Sequence, residues 1–282
     1  MRVKFAKIAA TGNDFVVIDN RQGLFQPKPE WIRKVCARRI GVGADGLLLL
    51  DSSTSSDFAM RYFNSDGSEG ELCGNGARAV AFFAYLSGAA PKEMLFESKS
   101  GLHKARVENE AVRVQMPHPQ NARLDLYEAE KWGYTSLGYV EIGVPHFIVE
   151  VNDVDSVPVL KVGKELRHSS IFPRGANIDF ITVQSDRQIE MRTYERGVEN
   201  ETLACGTGAT AAALLSYQAK KVTPPVSVQM PGGTLQIDFT ADLKTIYLSG
   251  AVQWLYSAEL WMENNQWMSL KQLETIFRTR KE

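Results

Sequence analysis

Short apolar runs broken by small polar residues recur along most of the chain, the pattern of a strand-rich fold. Residues 15–19, 47–51, 58–63, 95–98, 147–152, 178–183 and 246–248 are rich in β-branched, aromatic or aliphatic side chains, and Gly, Asn, Asp or Ser punctuate them. Helical spacing is rarer. Residues 30–39 set Trp31, Ile32, Val35 and Cys36 on one face, with Pro29 near the start. Ser269 followed by Gln272 resembles a capping box, ahead of a stripe formed by Leu270, Leu273, Ile276 and Phe277. Residues 77–86 and 209–217 are apolar nearly all round, which predicts two helices buried at domain centres. Residues 121–136 read as a connecting stretch.

The pattern repeats. Gly12-Asn-Asp-Phe-Val-Val-Ile-Asp19 lines up with Gly143-Val-Pro-His-Phe-Ile-Val-Glu150, and Gly43-Ala-Asp-Gly-Leu-Leu shares its rhythm with Gly175-Ala-Asn-Ile-Asp-Phe. Met60-Arg61 matches Met191-Arg192, and Cys73-Gly-Asn-Gly76 matches Cys205-Gly-Thr-Gly208, 132 residues on. The period is far too long for a solenoid. Two similar domains facing each other across a cleft are expected, residues 1–120 and 121–259, with 260–282 packing back on the first. Strands wrapped around one central helix, twice, is the simplest arrangement.

Composition narrows the class. At 282 residues, with 44% hydrophobic and 23% charged positions, the chain resembles an ordinary enzyme with a large core. A net charge of −1 gives no broad attraction to nucleic acid or a membrane surface. The N-terminal stretch reaches Gly12, Asn13 and Asp14 too early for a signal-peptide core. Three widely spaced cysteines make no disulfide framework, so a reducing cytoplasm is expected.

The cysteines carry the candidate chemistry. Cys73 and Cys205 each open a buried helix in a glycine-rich loop, where exposed N–H groups and the helix dipole favour a thiolate and lower its pKa. Cys36 lies on the apolar face of residues 30–39 and reads as a core residue. Gly41-Val-Gly43-Ala-Asp-Gly46 matches a dinucleotide fingerprint, but a helix precedes it and a strand follows, the reverse of what that fingerprint needs. It reads as a structural turn. Neither cysteine loop has the Lys-Ser/Thr ending of a phosphate-binding loop.

Taken in order, Gly12-Asn-Asp-Phe15, Asn64-Ser-Asp-Gly-Ser-Glu69, Cys73-Gly-Asn-Gly-Ala-Arg78, Pro145-His146, Arg174-Gly-Ala-Asn177, Glu195-Arg-Gly197 and Glu201-Thr-Leu-Ala-Cys-Gly-Thr-Gly208 resemble the diaminopimelate epimerase family. The resemblance implies an α+β fold of two similar domains, each a barrel-like, mostly antiparallel sheet around a central helix, with the site in the cleft between them. It implies an isomerase without cofactor or metal, interconverting LL- and meso-diaminopimelate in lysine and peptidoglycan precursor synthesis. Cys73 and Cys205 would be the two acid–base groups, one on each face of the α-carbon. The N–H groups of Gly74, Asn75, Gly206 and Thr207 would hold the α-carboxylate. His146 and Glu195 would engage the α-amino region or tune the thiols, and Asn13, Asn64, Asn177 and Arg196 would hold the other polar groups of the substrate. A small amino acid is the only partner expected beyond a second copy in a homodimer.

The chain departs from the family at Val144, where an Asn is common, at Gly46, where a Gln is frequent, and by one extra residue between Glu195 and Cys205. These departures fall where the far end of the substrate would sit. Another pyridoxal-independent racemase of the same fold, acting on histidine or a proline-like substrate, is therefore the alternative. A thiol redox sensor is a third reading, disfavoured by the absence of Cys-x-x-Cys.

Overall fold

A computed structural model describes residues 2–70, 72–109, 111–263 and 266–268. The helix stripe expected after Ser269 lies outside them. The first repeat runs β1 (Arg2–Ala10), β2 (Asn13–Asp19), α1 (Pro29–Cys36), β3 (Gly46–Asp51), β4 (Phe58–Asn64), β5 (Glu69–Gly70), α2 (Gly74–Leu86), β6 (Glu93–Ser98), β7 (Gly101–Glu108) and β8 (Ala111–Gln115). After β9 (Gln120–Arg123), the second runs β10 (Thr135–Ile142), β11 (Val144–Glu150), α3 (Val159–Arg167), β12 (Asn177–Ser185), β13 (Gln188–Glu195), β14 (Asn200–Thr202), α4 (Gly206–Gln218), β15 (Val226–Met230) and β16 (Gly233–Phe239). The long β17 (Ile246–Glu263) and short β18 (Gln266–Trp267) follow.

Both repeats use one sheet order. β1, β2, β3, β4, β6, β7 and β8 are neighbours in turn, with β2–β3 and β4–β6 parallel and the other pairs antiparallel. β10, β11, β12, β13, β15, β16 and β17 repeat it, with β11–β12 and β13–β15 parallel. β17 then does two things. Tyr247–Ala251 pairs with β8, and residues 252–261 pair with β1, closing the first sheet into a barrel of eight strands. In return the chain beyond β8 crosses over, and β9 pairs with β10. The first half is thus closed by chain from the second, and chain leaving the first half lies along the edge of the second. Along β17 the partner on that edge changes from β8 to β1 after Ala251.

Side-chain alternation explains the apolar runs. In β2 and β3, Phe15, Val17, Leu48 and Leu50 point inward onto α2, while Val16, Ile18, Leu47 and Leu49 pack outward under Trp31, Ile32, Val35 and Cys36 of α1. The second repeat does the same, with Ile148 and Ile181 against α4, and Phe147, Val149, Ile178 and Phe180 against α3. The inside of an eight-stranded barrel normally holds little more than its own side chains. A helix fits there because α2 and α4 are built on Gly and Ala, with Ala77, Ala79, Ala81, Ala211, Ala212 and Ala213 fully buried.

Helix α1 stops at Cys36 rather than Arg39, because Ala37 is extended and Arg39 is left-handed at φ 77°. The N–H groups of Gly41 and Gly43 turn back onto the carbonyls of Ala37 and Val35 and finish the helix. The Gly41–Gly46 loop therefore links a helix to a strand. Residues 121–136, expected as a connector, contain most of β9 and a 3-10 turn at Glu130–Trp132. Sequence reading missed α3, although Pro158 and the spacing of Val159, Val162, Gly163 and Leu166 carry its signature.

Leu248 is fully buried where β17 pairs with both β16 and β8. Leu248→Ala is expected to cost about 2–5 kcal/mol. Because the strand serves both halves, urea unfolding followed by far-UV and by tryptophan signals should shift as one transition. Two separated transitions would show that the halves unfold independently.

Candidate active site

The two central helices bring the duplicated cysteines together. Cys73 and Cys205 are the N-caps of α2 and α4, both in extended backbone conformation. The tips face each other: a Cβ placed on Gly206 would lie 3.6 Å from Asn75 Oδ1 and 3.9 Å from Gly74 Cα. The first N–H groups of both helices, those of Gly74, Asn75, Gly206 and Thr207 among them, have no partner within the helix backbone, and at the α2 tip those of Asn75 and Gly76 turn toward the Cys73 sulfur.

Around this pair the expected residues separate into clusters. Asn75 Nδ2 donates to Asn13 Oδ1 at 2.7 Å and to the Thr11 carbonyl at 3.2 Å. Asn13 in turn donates to Asp45 at 3.0 Å. An ionic net anchors this side, with Arg38 bridging Asp14 and Asp45 and the buried Lys7 paired to Asp14 at 2.8 Å. Burial alone would raise the Asp14 carboxyl, but Arg38 and Lys7 hold it down at about 2. Asn64 accepts the Tyr62 hydroxyl at 2.7 Å. Buried Asn177 accepts the Arg196 N–H at 2.8 Å. The Arg196 guanidinium donates to the Arg174 carbonyl at 3.1 Å. Cys36 lies apart in the core beneath α1, its thiol pushed up to about 12 by burial.

His146 is fully buried on β11, in a chain of hydrogen bonds that ends at a thiol. Its Nδ1 is 2.7 Å from Asp179 Oδ2, its Nε2 is 2.9 Å from Thr207 Oγ1, and that hydroxyl is 3.5 Å from Cys205 Sγ. Thr193 donates to the other Asp179 oxygen at 2.6 Å. With His146 Nδ1–H donating to Asp179, Nε2 accepts the Thr207 hydroxyl, which is left to accept the Cys205 S–H. Gly208 makes room for this: a Cβ there would sit 2.6 Å from Asp179 Oδ1. Sequence reading missed Asp179, Thr193 and Tyr62. An Asp inside the apolar run Ile178-Asp-Phe-Ile181 was the available signal for the first.

The thiols differ from expectation in one respect. Helix tips favour thiolates, yet burial outweighs them at both positions, and the nearby Glu195 carboxylate adds to it. Cys73 is raised despite the Gly76 N–H that reaches its sulfur at 3.4 Å. Cys205 is raised well above the usual thiol range, with Asp179 contributing. Burial also raises Glu195, and His146 partly offsets it.

The sequence model of the diaminopimelate epimerase family matches residues 5–121 and 138–255. The chain belongs to this family. A diaminopimelate epimerase of Chlorobaculum tepidum is 44% identical over 88% of this chain and 98% of its own length. One of Aquifex aeolicus is 42% identical over 92% of this chain and 98% of its own. Solved structures of the same fold include a PhzF-family phenazine biosynthesis protein of Bacillus anthracis, with a TM-score of 0.71 at 17% identity, covering 93% of this chain and all of that one. A probable proline racemase of Agrobacterium radiobacter gives 0.68 at 15%, covering 96% and 97% of the two chains. At such low identity these structures speak for the fold alone. The space beside Gly46 is already taken. A Cβ at that position would lie 2.7 Å from both the Tyr62 ring and the Phe63 carbonyl, so the tyrosine occupies the space.

Among the described residues no cluster of His, Cys, Asp and Glu is arranged to hold a metal ion, and no helix is long and apolar enough to cross a membrane. A surface hollow of about 650 Å³ lined by Leu160, Lys164, His168, Tyr194, Glu199 and Asn200 lies against α3 and includes neither thiol.

Thr207→Val keeps the shape and the backbone N–H but cuts the link between Cys205 and His146. A loss of about 100-fold in kcat with little change in KM is expected. The buried His146 nitrogen left without its donor should cost about 1–3 kcal/mol in a denaturant titration. A KM effect without a kcat effect would assign Thr207 to binding instead.

Proposed function

We propose that the chain is a diaminopimelate epimerase, a pyridoxal-phosphate-independent isomerase that interconverts LL- and meso-2,6-diaminopimelate on the way to lysine and peptidoglycan precursors. The observation that carries the reading is the pair of cysteine N-caps on facing, duplicated helix tips. Inverting an α-carbon means removing a proton from one face and delivering one to the other. Two thiols held by opposed halves of the fold suit that without any movement of the substrate. One must be ionised while the other keeps its proton, and the roles exchange with direction.

The α-proton is weakly acidic, so the developing negative charge needs stabilising. The helix-tip N–H groups of Gly74, Asn75, Gly206 and Thr207 bind the α-carboxylate in this reading and carry part of that charge. His146 and Glu195 set the protonation of the thiols and meet the α-amino group. Asn13, Asn64, Asn177 and Arg196 hold the remaining polar groups, including the far ammonium and carboxylate. Val144 offers nothing polar there. The reading extends to a cytoplasmic homodimer; the thiols Cys36, Cys73 and Cys205 are unpaired, as in a reducing compartment, and light scattering checks the assembly.

Cys73→Ala and Cys205→Ala are each expected to reduce epimerisation by at least about 10³-fold, while Cys36→Ala leaves it near normal. In deuterated water, chirally resolved turnover should place deuterium at the α-carbon. Full activity in either single-thiol variant would end the two-base scheme. Val144→Asn should change KM for diaminopimelate more than kcat. If histidine or proline turns over with a higher kcat/KM than diaminopimelate, the substrate assignment falls.

A further inference from the structure

The duplication makes the thiols equivalent in backbone, but the charges behind them are not. On the Cys73 side stands Arg78, one turn into α2 and fully buried. Its guanidinium donates to the Thr11 hydroxyl at 2.8 Å and the Gly74 carbonyl at 3.3 Å, and its Nε has no partner. Among the described residues no carboxylate pairs with it. At the matching place in α4 stands Thr210, neutral, whose hydroxyl reaches the Gly206 carbonyl at 2.9 Å. On the Cys205 side stands the Asp179–His146–Thr207 chain. The corresponding positions of the first repeat, set by the shared strand registers, are Leu48, Phe15 and Asn75. Cys73 therefore has a buried cation behind it and no imidazole or carboxylate relay. Cys205 has the relay and no guanidinium.

We infer that Arg78 and the Asp179–His146–Thr207 chain polarise the thiol pair, so that Cys73 ionises first while Cys205 keeps its proton. The inference deepens the proposed two-thiol reaction and rests on it. A buried guanidinium is costly unless an anion accompanies it. The Cys73 thiolate, or a carboxylate bound at the helix tips, is the anion this cleft offers. Burial lowers Arg78 to about 10, which leaves it a cation at neutral pH, and the charge of Cys73 pulls the other way. Cys73 is faced by Arg78 from its own helix, by Glu195 from the end of β13 and by the Tyr62 phenol of β4, which burial keeps neutral. Cys205 is faced by the same Glu195, by Asp179 of β12 and, through Thr207, by His146 of β11. Glu195 opposes ionisation of both thiols, whereas Arg78 favours the charge on Cys73 and Asp179 opposes it on Cys205. The free enzyme is thus prepared for one direction, with Cys73 as base and Cys205 as acid, and Arg78 is a positioning residue acting through Cys73.

Iodoacetamide labelling from pH 6 to 10.5, read at each cysteine by peptide mass spectrometry, gives a midpoint for each thiol apart from differences in access. In the unsubstituted protein the Cys73 midpoint should lie at least one pH unit below that of Cys205. Arg78→Met should raise the Cys73 midpoint by at least one unit and leave Cys205 unmoved, with Arg78→Lys restoring most of the shift. Asp179→Asn should lower the Cys205 midpoint alone. A lower midpoint at Cys205 in the unsubstituted protein overturns the inference, even if Arg78→Met fails to fold. An unmoved Cys73 midpoint in a folded Arg78→Met also overturns it. Neither outcome touches the epimerase assignment, which the deuterium experiment decides separately.

Discussion

A helix enclosed in a closed eight-stranded barrel is the constraint on which the rest of this molecule depends. The enclosed volume admits a helix only if its side chains are small, hence the Gly- and Ala-rich cores of α2 and α4. Enclosure also limits where such a helix can begin. Its N-terminus must emerge at a barrel mouth, and its first N–H groups must find partners there or remain open to a ligand. In each half that mouth faces the other half. The two cysteines therefore meet as a consequence of barrel geometry repeated in opposed orientation. The exchange of closing strands, β17 for one barrel and residues 120–123 beside the other, ties the two mouths in register without a flexible linker.

Duplication supplies two equivalent thiols, but the proposed proton exchange across a carbon requires them to be unequal at every instant. The structure breaks the symmetry at one position within the loops and at three beside them. His146, Asp179 and Thr207 occupy places held by Phe15, Leu48 and Asn75 in the other half, while Arg78 occupies a place held by Thr210. Burial acts on both thiols in the same direction. Both thiols are pushed upward by a dry, carboxylate-bearing surround, so a thiolate formed there is a stronger base than it would be in water. A weakly acidic carbon acid needs such a base, and a thiolate stabilised by its helix tip alone would be a weaker one.

The sequence made part of this legible. The cysteine loops, the all-round apolar helices and the 132-residue echo are local signals, and each survives in the structure. What escaped was long-range. No local pattern announces that residues 252–261 turn away from their own repeat to pair with β1. The spacing of α3 was present but short, and the strand-like segments around it dominated the reading. Asp179 was hidden because a charged residue in an apolar strand gains meaning only once Thr193, His146 and Gly208 are seen around it. The thiol environment was misjudged for a related reason. A helix tip can be read from residues next to the cysteine, whereas burial depends on the whole opposing half.

Gly46 and Val144 stand at the start of β3 and of β11, and their surroundings differ. Next to Gly46 the Tyr62 ring fills the space, lies edge-on to Phe15 with centroids 6.3 Å apart, and delivers its hydroxyl to Asn64 at 2.7 Å. Val144 has no such counterpart in the hydrogen bonds around β11, where His146 is committed to Asp179 and Thr207. Tyr62 thus fixes how Asn64 is held, while Val144 leaves its end of β11 apolar. Neither Gly46 nor Val144 takes part in the hydrogen bonds that join His146, Thr207 and Cys205, which are set by the enclosed helix α4 and the strands beside it.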